Sequence, residues 1–414
     1  MARIAILHYS SPPIIGGVES VIAHHARLLI QAGHSVRMVA ARGVEPCEKA
    51  TFCHIPLVGS QHETILAIKK QLDDGIVPDD FDAVASEIFS QLSVGFENTD
   101  VIMAHNVASL HKNLPLTAAL RKFCAQPNSP NLILWHHDFA WCSARYQDEL
   151  HTGYPWGLIR EDWPDAQPIH VVVSQLRQEE FTDLYQLPAD RAQIIPSGLD
   201  LVDLLSLEEH TAHSINSLNL TSGDPIFLLP VRITRRKNIQ LAIQIIAELQ
   251  AYFSKPTLIV TGPPGPHNQD NHNYLKELIT LRDELSLNPT TSQSGCVHLM
   301  AENFSDPLPI RHVHDLFRIA DALIFPSFEE GFGIPMLEAG LVGIPIFASN
   351  IAPLKAIGTH YANWFSPYGN PADIAQQISE KLHNDAVFAL KKQVRRDFIW
   401  EGVFEKHISP LLGV

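Results

Sequence analysis

Two glutamates bracket a glycine-rich loop in the second half of the chain. The segment Phe325–Glu338 reads FPSFEEGFGIPMLE, which predicts a buried strand, a loop and a helix that begins at Pro335. The residue before the proline is a poor N-cap, so the first N–H groups of the helix are left to bind an anion such as a diphosphate. Glu330 and Glu338 can accept hydrogen bonds from the hydroxyl groups of a sugar and a ribose. The combination indicates a nucleotide-sugar site, against the alternative of an ordinary turn with surface acids.

A basic loop follows another apolar strand of the same half. The run Pro230–Asn238 reads PVRITRRKN, and open α/β sheets bind ligands at the carboxyl ends of their strands. Arginine can clamp phosphate oxygens in a bidentate manner, and lysine adds a point charge. Such cations stabilise the charge that develops on a departing diphosphate more strongly in the transition state than in the ground state.

Polar groups also follow apolar strands in the first half. Gly16-Gly17 lies between the first strand and the first helix, and His137-Asp138 follows the apolar run Leu132–Trp135. A further set follows the apolar run at 101–104 and consists of His105, Asn106, His111 and Asn113. Because these residues follow a predicted strand, they are candidates for ligand binding. The alternative interpretation is a helix cap followed by exposed polar residues.

Short apolar runs alternate with helical patterns along the whole chain, which predicts mainly parallel, doubly wound sheets in two α/β halves. The predicted strands are Ile4–Leu7, Val36–Ala40, Val101–Ala104, Leu132–Trp135, His170–Val173, Ile226–Pro230, Leu258–Thr261, Val297–Met300, Leu323–Phe325 and Ile344–Ala348. The stretch 206–224 is rich in Ser, Thr and Asn and is predicted to be a linker between a domain at 1–205 and a domain at 225–393.

The composition is that of an ordinary globular protein of two domains, with 414 residues of which 45% are hydrophobic and 18% charged. The net charge of −15 argues against nonspecific binding to nucleic acid or to an anionic bilayer. Five scattered cysteines without a Cys-x-x-Cys spacing argue against a disulfide framework or a zinc site. No signal sequence or membrane-spanning run is visible, so we expect a cytoplasmic protein without stable membrane insertion.

The spacing of Glu330 and Glu338 reproduces the Glu-x7-Glu motif of retaining GT-B glycosyltransferases, and the chain most closely resembles their large family 4 group. The resemblance implies an α/β protein of GT-B fold, in which two Rossmann-like doubly wound domains face a cleft. It implies that the segment 394–414 is a C-terminal helix that crosses back to the first domain. It also implies that Glu330 contacts the donor sugar and that Glu338 binds the ribose.

The same resemblance assigns the remaining site residues. Arg232 and Lys237 match the phosphate-contacting residues of the family, and His137 lies where the family places a histidine near the donor sugar and the reacting centre. The implied donor contacts are Gly16, Gly17, Arg232, Lys237, Gly262, Met300, Glu330, Gly331, Phe332, Gly333, Ile334 and Glu338. The implied catalytic residues are His137, Asp138, Glu330, Arg232 and Lys237. We place the set His105, Asn106, His111 and Asn113 on the acceptor side.

The resemblance implies a hexosyltransferase that acts with retention on a UDP-, GDP- or ADP-hexose. We expect a small polar or saccharide acceptor, no cofactor and no essential metal, because the two cations and the helix N-terminus replace the metal electrostatically. Two alternatives use the same fold. One is a nucleotide-sugar epimerase or hydrolase, and the other is a relative that binds a nucleotide sugar without turnover.

Overall fold

A computed structural model describes residues 1–265, 270–304 and 306–412 of the protein. The chain divides into two compact units. The first unit comprises Met1–Leu199 together with Trp400–Val414, and the second unit comprises Asp200–Ile399. The chain therefore leaves the first unit once and returns to it once.

The first unit is built on a parallel sheet of seven strands. They are β1 (Arg3–Leu7), β2 (Ser35–Ala40), β3 (Thr51–His54), β4 (Val101–His105), β5 (Asn131–His136), β6 (Ile169–Val172) and β7 (Ala192–Ile194). Their order across the sheet is β3-β2-β1-β4-β5-β6-β7. The order reverses between β1 and β4, which is the switch point at which such sheets bind ligands.

Helices cover the sheet of the first unit because each connection between parallel strands must cross over a face. The helices are α1 (Gly17–Gln31), α2 (Glu63–Asp73), α3 (Phe81–Gly95), α4 (Leu114–Cys124) and α5 (Gln175–Tyr185). Short 3-10 turns include His111–Asn113 and Ala144–Glu149. Helix α1 ends just before Gly33, whose φ of +87° favours glycine after a helix.

The second unit repeats the plan with six parallel strands. They are β8 (Ile226–Leu229), β9 (Thr257–Val260), β10 (Cys296–Leu299), β11 (Ala322–Phe325), β12 (Ile346–Ser349) and β13 (Asn363–Phe365). Their order is β10-β9-β8-β11-β12-β13, so the switch point lies between β8 and β11. The expectation of two doubly wound α/β units with parallel sheets is confirmed.

The helices of the second unit surround a large apolar core that contains all of β8 and β11 and the last three residues of β9. They are α6 (Leu201–Leu204), α7 (Glu209–Ser217), α8 (Ile239–Leu249), α9 (Asp270–Glu284), α10 (Ile310–Ile319), α11 (Ile334–Val342), α12 (Ala352–Gly358), α13 (Pro371–His383) and α14 (Ala386–Asp397). None of the described helices is long and apolar enough to cross a membrane.

The stretch 206–224 corrects one expectation, because it holds a helix where a linker was predicted. Ile215 of α7 and Leu220 after it are buried in the core of the second unit. The Ser214 hydroxyl donates to His210 O at 3.0 Å, so a polar residue of this stretch is satisfied inside its own helix. The boundary between the units lies earlier, between Leu199 and Asp200.

The return segment packs on the first unit from Trp400 onward. It forms α15 (Trp400–Val403), a π-helix at Phe404–Ile408 and α16 (Ser409–Leu411). Trp400 is 2% exposed and joins the core formed by α1, β1 and β2. A Cβ at Gly198 would lie 2.5 Å from the indole, so the tryptophan requires a glycine there.

Candidate functional sites

The switch point of the second unit brings the basic loop and the glutamate loop together. The basic loop follows β8, the glutamate loop follows β11, and these two strands pair directly. Asn238, which begins α8 with a φ of 52°, donates to Pro326 O at 3.1 Å and to Pro367 O at 2.9 Å. Phe328 N donates to Arg236 O at 2.9 Å. The two loops are therefore joined through their backbones.

A buried ion pair lies where the loops meet. Lys237 Nζ donates to Glu330 Oε1 at 2.5 Å, and Ser327 Oγ donates to the same oxygen at 2.7 Å. The side chains of Lys237 and Glu330 are 11% and 8% exposed. Burial lowers the pKa of Lys237, and the hydrogen bond to Glu330 opposes that shift. Each charge thus depends on the other for its stability at this depth.

The basic loop carries two further arginines that bear on this site. Arg236 Nη1 lies 3.9 Å from Glu330 Oε2 and donates to Glu329 O at 3.4 Å. The Arg232 side chain is exposed and has no hydrogen-bond or ion-pair partner within the part of the chain that the structure describes. An exposed guanidinium without a carboxylate partner is available to a phosphate.

Helix α11 presents an uncapped N-terminus beside this pair. Its N-cap is Gly333, which has a φ of +111° and contributes no side-chain hydrogen bond. A Cβ at this position would also lie 2.5 Å from Leu354, so the turn requires glycine. Phe332 and Ile334 are exposed, and Gly331 has open space around it. No side chain caps the first turn, and anion binding by its N–H groups stays a prediction.

Glu338 lies one turn into the same helix. Its side chain is 26% exposed, and its Oε1 lies 3.5 Å from His314 Nε2 of α10. A partly exposed carboxylate can accept hydrogen bonds from two adjacent hydroxyl groups. The neighbouring His314 carries no signal in the sequence and was not predicted.

The exits of β9 and β10 complete this edge of the second sheet. Gly262 N donates to Val231 O at 3.0 Å, and a Cβ on Gly262 would lie 2.2 Å from that oxygen. The glycine therefore allows the loop after β9 to lie against the basic loop. Met300 is fully buried at the exit of β10. Residues 266–269 lie outside the described residues.

The switch point of the first unit holds a group of histidines. His105 Nδ1 and His137 Nε2 are 3.1 Å apart, and His8 Nδ1 lies 2.8 Å from His105 O. Burial lowers the pKa of His137 to about 3, and nearby His8 adds to the effect. The rings of His137 and His8 are therefore neutral at physiological pH. A neutral imidazole can bind a hydroxyl group, as expected for His137.

Asn106 links two strand exits and holds His137 in place. It has a φ of 57°, and its Oδ1 accepts from His137 N at 2.8 Å and from Asp138 N at 3.4 Å. Asn106 is 3% exposed. The structure thus shows Asn106 holding the backbone of the His-Asp pair, and its contact with an acceptor stays a prediction. Asp138 is exposed, and its Oδ1 lies 3.4 Å from Arg177 Nη2.

A cavity of about 900 Å³ lies at these strand exits. All its lining residues belong to the first unit, and they follow β1 through β6. The charged residues that line it are Glu19, Arg42, Lys112, Asp138, Arg145, Arg177 and Glu180. Its size is within the range of pockets that hold small organic ligands.

The predicted glycine pair lies at one border of this cavity. Gly16 is the extended N-cap of α1, and Gly17, which lines the cavity, begins the helix. A Cβ on Gly16 would overlap the carboxylate of Glu19, whereas one on Gly17 would meet open space. The Ser10 hydroxyl donates to Glu19 Oε1 at 2.5 Å. Ser10 and Glu19 are therefore further polar groups of the cavity.

Three of the four predicted acceptor residues do not line the cavity, which corrects that expectation. Asn113 Nδ2 donates to Leu57 O at 2.9 Å and to Val58 O at 3.1 Å, and its Oδ1 caps α4. His111 Nε2 contacts Glu149 at 2.6 Å, and His105 contacts His137. One ring nitrogen of each histidine and the side-chain amide of Asn113 bond within the unit, because residues at a strand exit also have to satisfy buried groups of the fold.

One group of metal-type ligands occurs among the described residues, and a lysine already occupies its centre. Asp73, His111 and Glu149 bring their ligand atoms within 4.8 Å of one another. Lys69 Nζ contacts Asp73 at 2.6 Å and Glu149 at 2.8 Å. The ammonium group supplies the positive charge that a cation would supply, so the cluster is an ion-pair network of the fold.

The cavity's basic residues were missed by sequence reasoning. Arg42 follows β2, Lys112 and Arg145 lie in the 3-10 turns after β4 and β5, and Arg177 lies in α5 after β6. The signal that could have found them is a basic residue after successive parallel strands. It is weak because many surface loops carry isolated arginines and lysines.

Two family models match the chain, and together they span most of it. The model described as "Glycosyl transferases group 1" matches residues 211–399, and the model described as "Glycosyltransferase Family 4" matches residues 15–203. Mannosylglucosylglycerate synthase from Petrotoga mobilis is 29% identical over 305 residues, which are 68% of this chain and 68% of the relative. The protein of the same name from Thermotoga maritima is 24% identical over 85% of this chain and 83% of its own.

Among solved structures, sucrose-phosphate synthase from Thermosynechococcus elongatus is 17% identical and covers 99% of this chain and 98% of its own, with a TM-score of 0.39. A score that low carries no argument about this chain. The parallel sheets and the two family models carry the assignment of the fold.

Proposed function

Because the chain belongs to the group 1 glycosyltransferases of GT-B fold, we propose that it transfers a hexose from a nucleotide diphosphate sugar to an acceptor hydroxyl. The transfer retains the anomeric configuration. The donor is a UDP-, GDP- or ADP-hexose, and the acceptor is a small polar compound or a saccharide. The Petrotoga relative is named for a product with mannosyl and glucosyl groups, which supports a hexose as the transferred group.

The observation that carries this proposal is the buried contact between Lys237 and Glu330 at the switch point of the second sheet, with both side chains about one-tenth exposed. A paired cation and anion at this depth suit a ligand that brings both phosphates and hydroxyl groups. Arg232 and the uncapped α11 lie on the same edge of the sheet. Positive charge thus surrounds one carboxylate, which is the pattern that a diphosphate sugar requires.

In the proposed mechanism, Arg232, Lys237 and the N-terminus of α11 stabilise the charge on the departing diphosphate. Gly16, Gly17 and Gly262 allow backbone to approach the donor. Glu330 accepts hydrogen bonds from the hexose hydroxyls and is not a covalent nucleophile. Glu338 accepts hydrogen bonds from the ribose, and the backbone near Met300 borders the base. Retention follows if the acceptor oxygen attacks from the side of the leaving diphosphate, which takes up the proton.

In the first unit, His137 contributes a neutral imidazole that binds a hydroxyl of the hexose near the reacting centre. Asp138 lines the cavity beside it, and Asn106 keeps the backbone of both residues in place. The acceptor occupies the cavity. An imidazole whose pKa is lowered to about 3 is neutral and only weakly basic at pH 7, so we assign His137 a binding role.

No divalent metal is required in this mechanism, since two cations and a helix N-terminus neutralise the diphosphate. We expect that millimolar EDTA leaves the rate of transfer within about twofold of the untreated rate, because no step uses a metal-bound oxygen. The measurement is product formation after dialysis against EDTA, with and without added Mg²⁺. A full loss of activity that Mg²⁺ restores would contradict the metal-free mechanism.

The first experiment is a thermal-shift panel of UDP, GDP and ADP with their glucose and mannose conjugates. A ligand that binds only the folded state raises Tm by mass action. Glu330→Gln should reduce the extra shift given by the sugar conjugate over the free nucleotide. The exposed neighbour Glu329 supplies the matched control, Glu329→Gln, which should leave that difference unchanged.

The stereochemistry of the product then tests retention. NMR of the anomeric proton during the reaction distinguishes a retained from an inverted linkage, and an inverted product would overturn the proposed mechanism. An epimerase or hydrolase would consume the nucleotide sugar without an acceptor. A binding protein would give the thermal shift without any turnover.

A further inference from the structure

The cavity of the first unit is rich in positive charge within a protein whose net charge is −15. Four basic side chains line it, against three carboxylates. Two of the carboxylates share one basic side chain, and the third accepts a hydroxyl hydrogen bond. Arg177 contacts Glu180 and lies 3.4 Å from Asp138, and Glu19 accepts the Ser10 hydroxyl at 2.5 Å. The remaining basic residues are Arg42, Lys112 and Arg145, and none has a carboxylate partner among the described residues.

Arg42 is held at the rim by a turn that requires glycine. Ser11 N donates to Arg42 O at 2.8 Å, and Ser11 Oγ donates to Val44 O at 2.7 Å. Gly43 between them has a φ of +104°, and a Cβ there would lie 2.3 Å from Ser11 O. The backbone that carries Arg42 is therefore fixed against the exit of β1.

Lys112 is held by its two neighbours in the chain. His111 is buried against Glu149 at 2.6 Å, and Asn113 is buried against Leu57 O and Val58 O. Between these anchored residues, Lys112 is half-buried and lines the cavity. The predicted acceptor residues His111 and Asn113 thus serve to orient a lysine that the sequence did not single out.

Arg145 is connected to the same anchor through an aromatic ring. Its guanidinium carbon lies 4.3 Å from the centre of the Tyr146 ring. The Tyr146 ring in turn meets the His111 ring edge-on at 4.8 Å. Stacking limits the freedom of Arg145, and both Arg145 and Tyr146 line the cavity. Lys112 and Arg145 therefore belong to one packed group centred on His111.

We propose that the acceptor carries an anionic group, a carboxylate or a phosphate, which binds between Arg42, Lys112 and Arg145. The assignment rests on the proposed function, because it names the acceptor class of the same transfer. Arg42 and Arg145 are exposed and Lys112 is half-buried, so all three charges are accessible to an anionic ligand in the cavity that they line. The hydroxyls of Ser60, Ser143 and Tyr146 in the same lining then bind the neutral part of the acceptor.

The test compares matched neutral and acidic compounds as ligands of the whole chain. The probes are glucose with glucuronate and glucose 6-phosphate, and glycerol with glycerate and glycerol 3-phosphate. Titration calorimetry is run at low and at physiological salt, with UDP, GDP or ADP present in turn. We expect the acidic member of a pair to bind at least about 10-fold more tightly, because a charge-assisted contact is worth more than a neutral one.

The variants Lys112→Met and Arg42→Gln should weaken the acidic probe by about 10-fold or more while leaving the neutral probe unchanged. Lys112→Arg should restore most of the affinity. Lys70→Met is the matched control, since Lys70 is an exposed lysine of α2 outside the cavity lining. It removes the same charge from the same unit and should have no effect. The better member of the carboxylate and phosphate pairs identifies the anion.

The inference is overturned if neutral probes bind as tightly as acidic ones. It is also overturned if no acidic probe binds at about 10 mM, a concentration roughly 100 times a Kd of 0.1 mM. It is also overturned if Lys112→Met and Arg42→Gln weaken the nucleotide sugar and not the acidic probe, because the cations would then serve the donor. The nucleotide panel tests the proposed function separately. If no nucleotide binds, the donor assignment is wrong. The comparison of acidic with neutral probes would still decide whether the cavity binds an anionic compound.

Discussion

The Lys237–Glu330 pair has two tasks at the scale of single residues. It neutralises two buried charges in the free protein, and in the proposed reaction it presents a cation to phosphate and a carboxylate to sugar. Removal of one partner leaves the other buried without compensation. A substitution here therefore changes stability as well as turnover, and an experiment has to separate the two effects.

We predict that Lys237→Met lowers kcat by about 100-fold or more, as expected for loss of a group that stabilises the leaving diphosphate. The measurement is kcat and donor Kd, together with Tm as a check on folding. Arg235→Met is the control, because Arg235 lies on the same loop but contacts Glu277 and Asp270 on the surface. Near-normal turnover in Lys237→Met with a lowered Tm would restrict the lysine to a structural role.

Sequence patterns located which residues lie at strand exits but not what each side chain does there. Glu330, Lys237 and Arg232 were predicted for one site, and the structure brings them to one sheet edge. His111 and Asn113 were predicted as ligand contacts and instead bond within the unit. The same polar atoms satisfy either a ligand or a buried backbone group, and only the direction of the side chain distinguishes the two uses.

At the scale of elements, several backbone hydrogen bonds join the loops after β8 and β9, and a glycine allows the close approach at one of them. Gly262 is buried with its N–H on Val231 O, and no side chain fits between these loops. The contact positions Arg232, which directly follows Val231. The geometry of a charged site thus rests on a residue that carries no side chain.

We predict that Gly262→Ala lowers the free energy of unfolding by roughly 1–3 kcal/mol, the usual cost of forcing an extra methyl into packed structure. Donor affinity should fall as well, because the basic loop is displaced. Chemical unfolding and donor titration measure the two effects. Gly340→Ala within α11 is the control, since a Cβ there meets open space and alanine favours a helix. Equal stability of the two variants would contradict the packing argument.

The central strands were predictable and most of the edge strands were not. Every predicted strand matches an observed one within a few residues, whereas β3, β7 and β13 were missed. These three lie at edges of their sheets. A central strand of a parallel sheet is buried on both faces and reads as a continuous apolar run. An edge strand such as Thr51–His54 is short and half-exposed, so its sequence resembles a loop.

At the scale of the whole molecule, buried histidines link stability to pH. His25 is fully buried between Trp135 and Trp400, and neither of its ring nitrogens has a hydrogen-bond partner among the described residues. Burial lowers the pKa of His25 to about 3 and that of His8 to about 4. Burial also holds the pKa of His105 well below its usual range. The folded protein therefore keeps these rings neutral.

We predict that stability falls as the pH drops below about 6.5, where the unfolded chain begins to bind protons that the folded one excludes. Each such ring contributes up to about 1.4 kcal/mol per pH unit until its folded pKa is reached. Urea unfolding from pH 7.5 to 4.5 measures the slope. His25→Phe should reduce that slope by about one proton and stabilise the protein at low pH. An unchanged slope in this variant would contradict the assignment of His25 as a neutral buried ring.

The return segment joins distant parts of the sequence into the first unit. Trp400 stacks on His24 at 5.2 Å between ring centres and fills the space above Gly198. We predict that Trp400→Ala costs about 3–5 kcal/mol of stability, as for other large-to-small changes in a core. Limited proteolysis, with the cleavage sites mapped, measures whether the first unit becomes more susceptible. Tyr361→Ala, which removes an exposed ring, is the control. Unchanged protease resistance in the first unit would show that the segment is dispensable for its core.

The path of the chain also matters during translation. Residues 200–399 lie between the two parts of the first unit, so a ribosome releases the entire second unit before it releases Trp400. The second unit can fold as one continuous stretch while it emerges. The first unit meanwhile exposes the apolar surface of α1 that Trp400, Val403 and Phe404 later cover. The nascent chain thus carries an incomplete first unit for as long as the two hundred residues of the second unit take to synthesise.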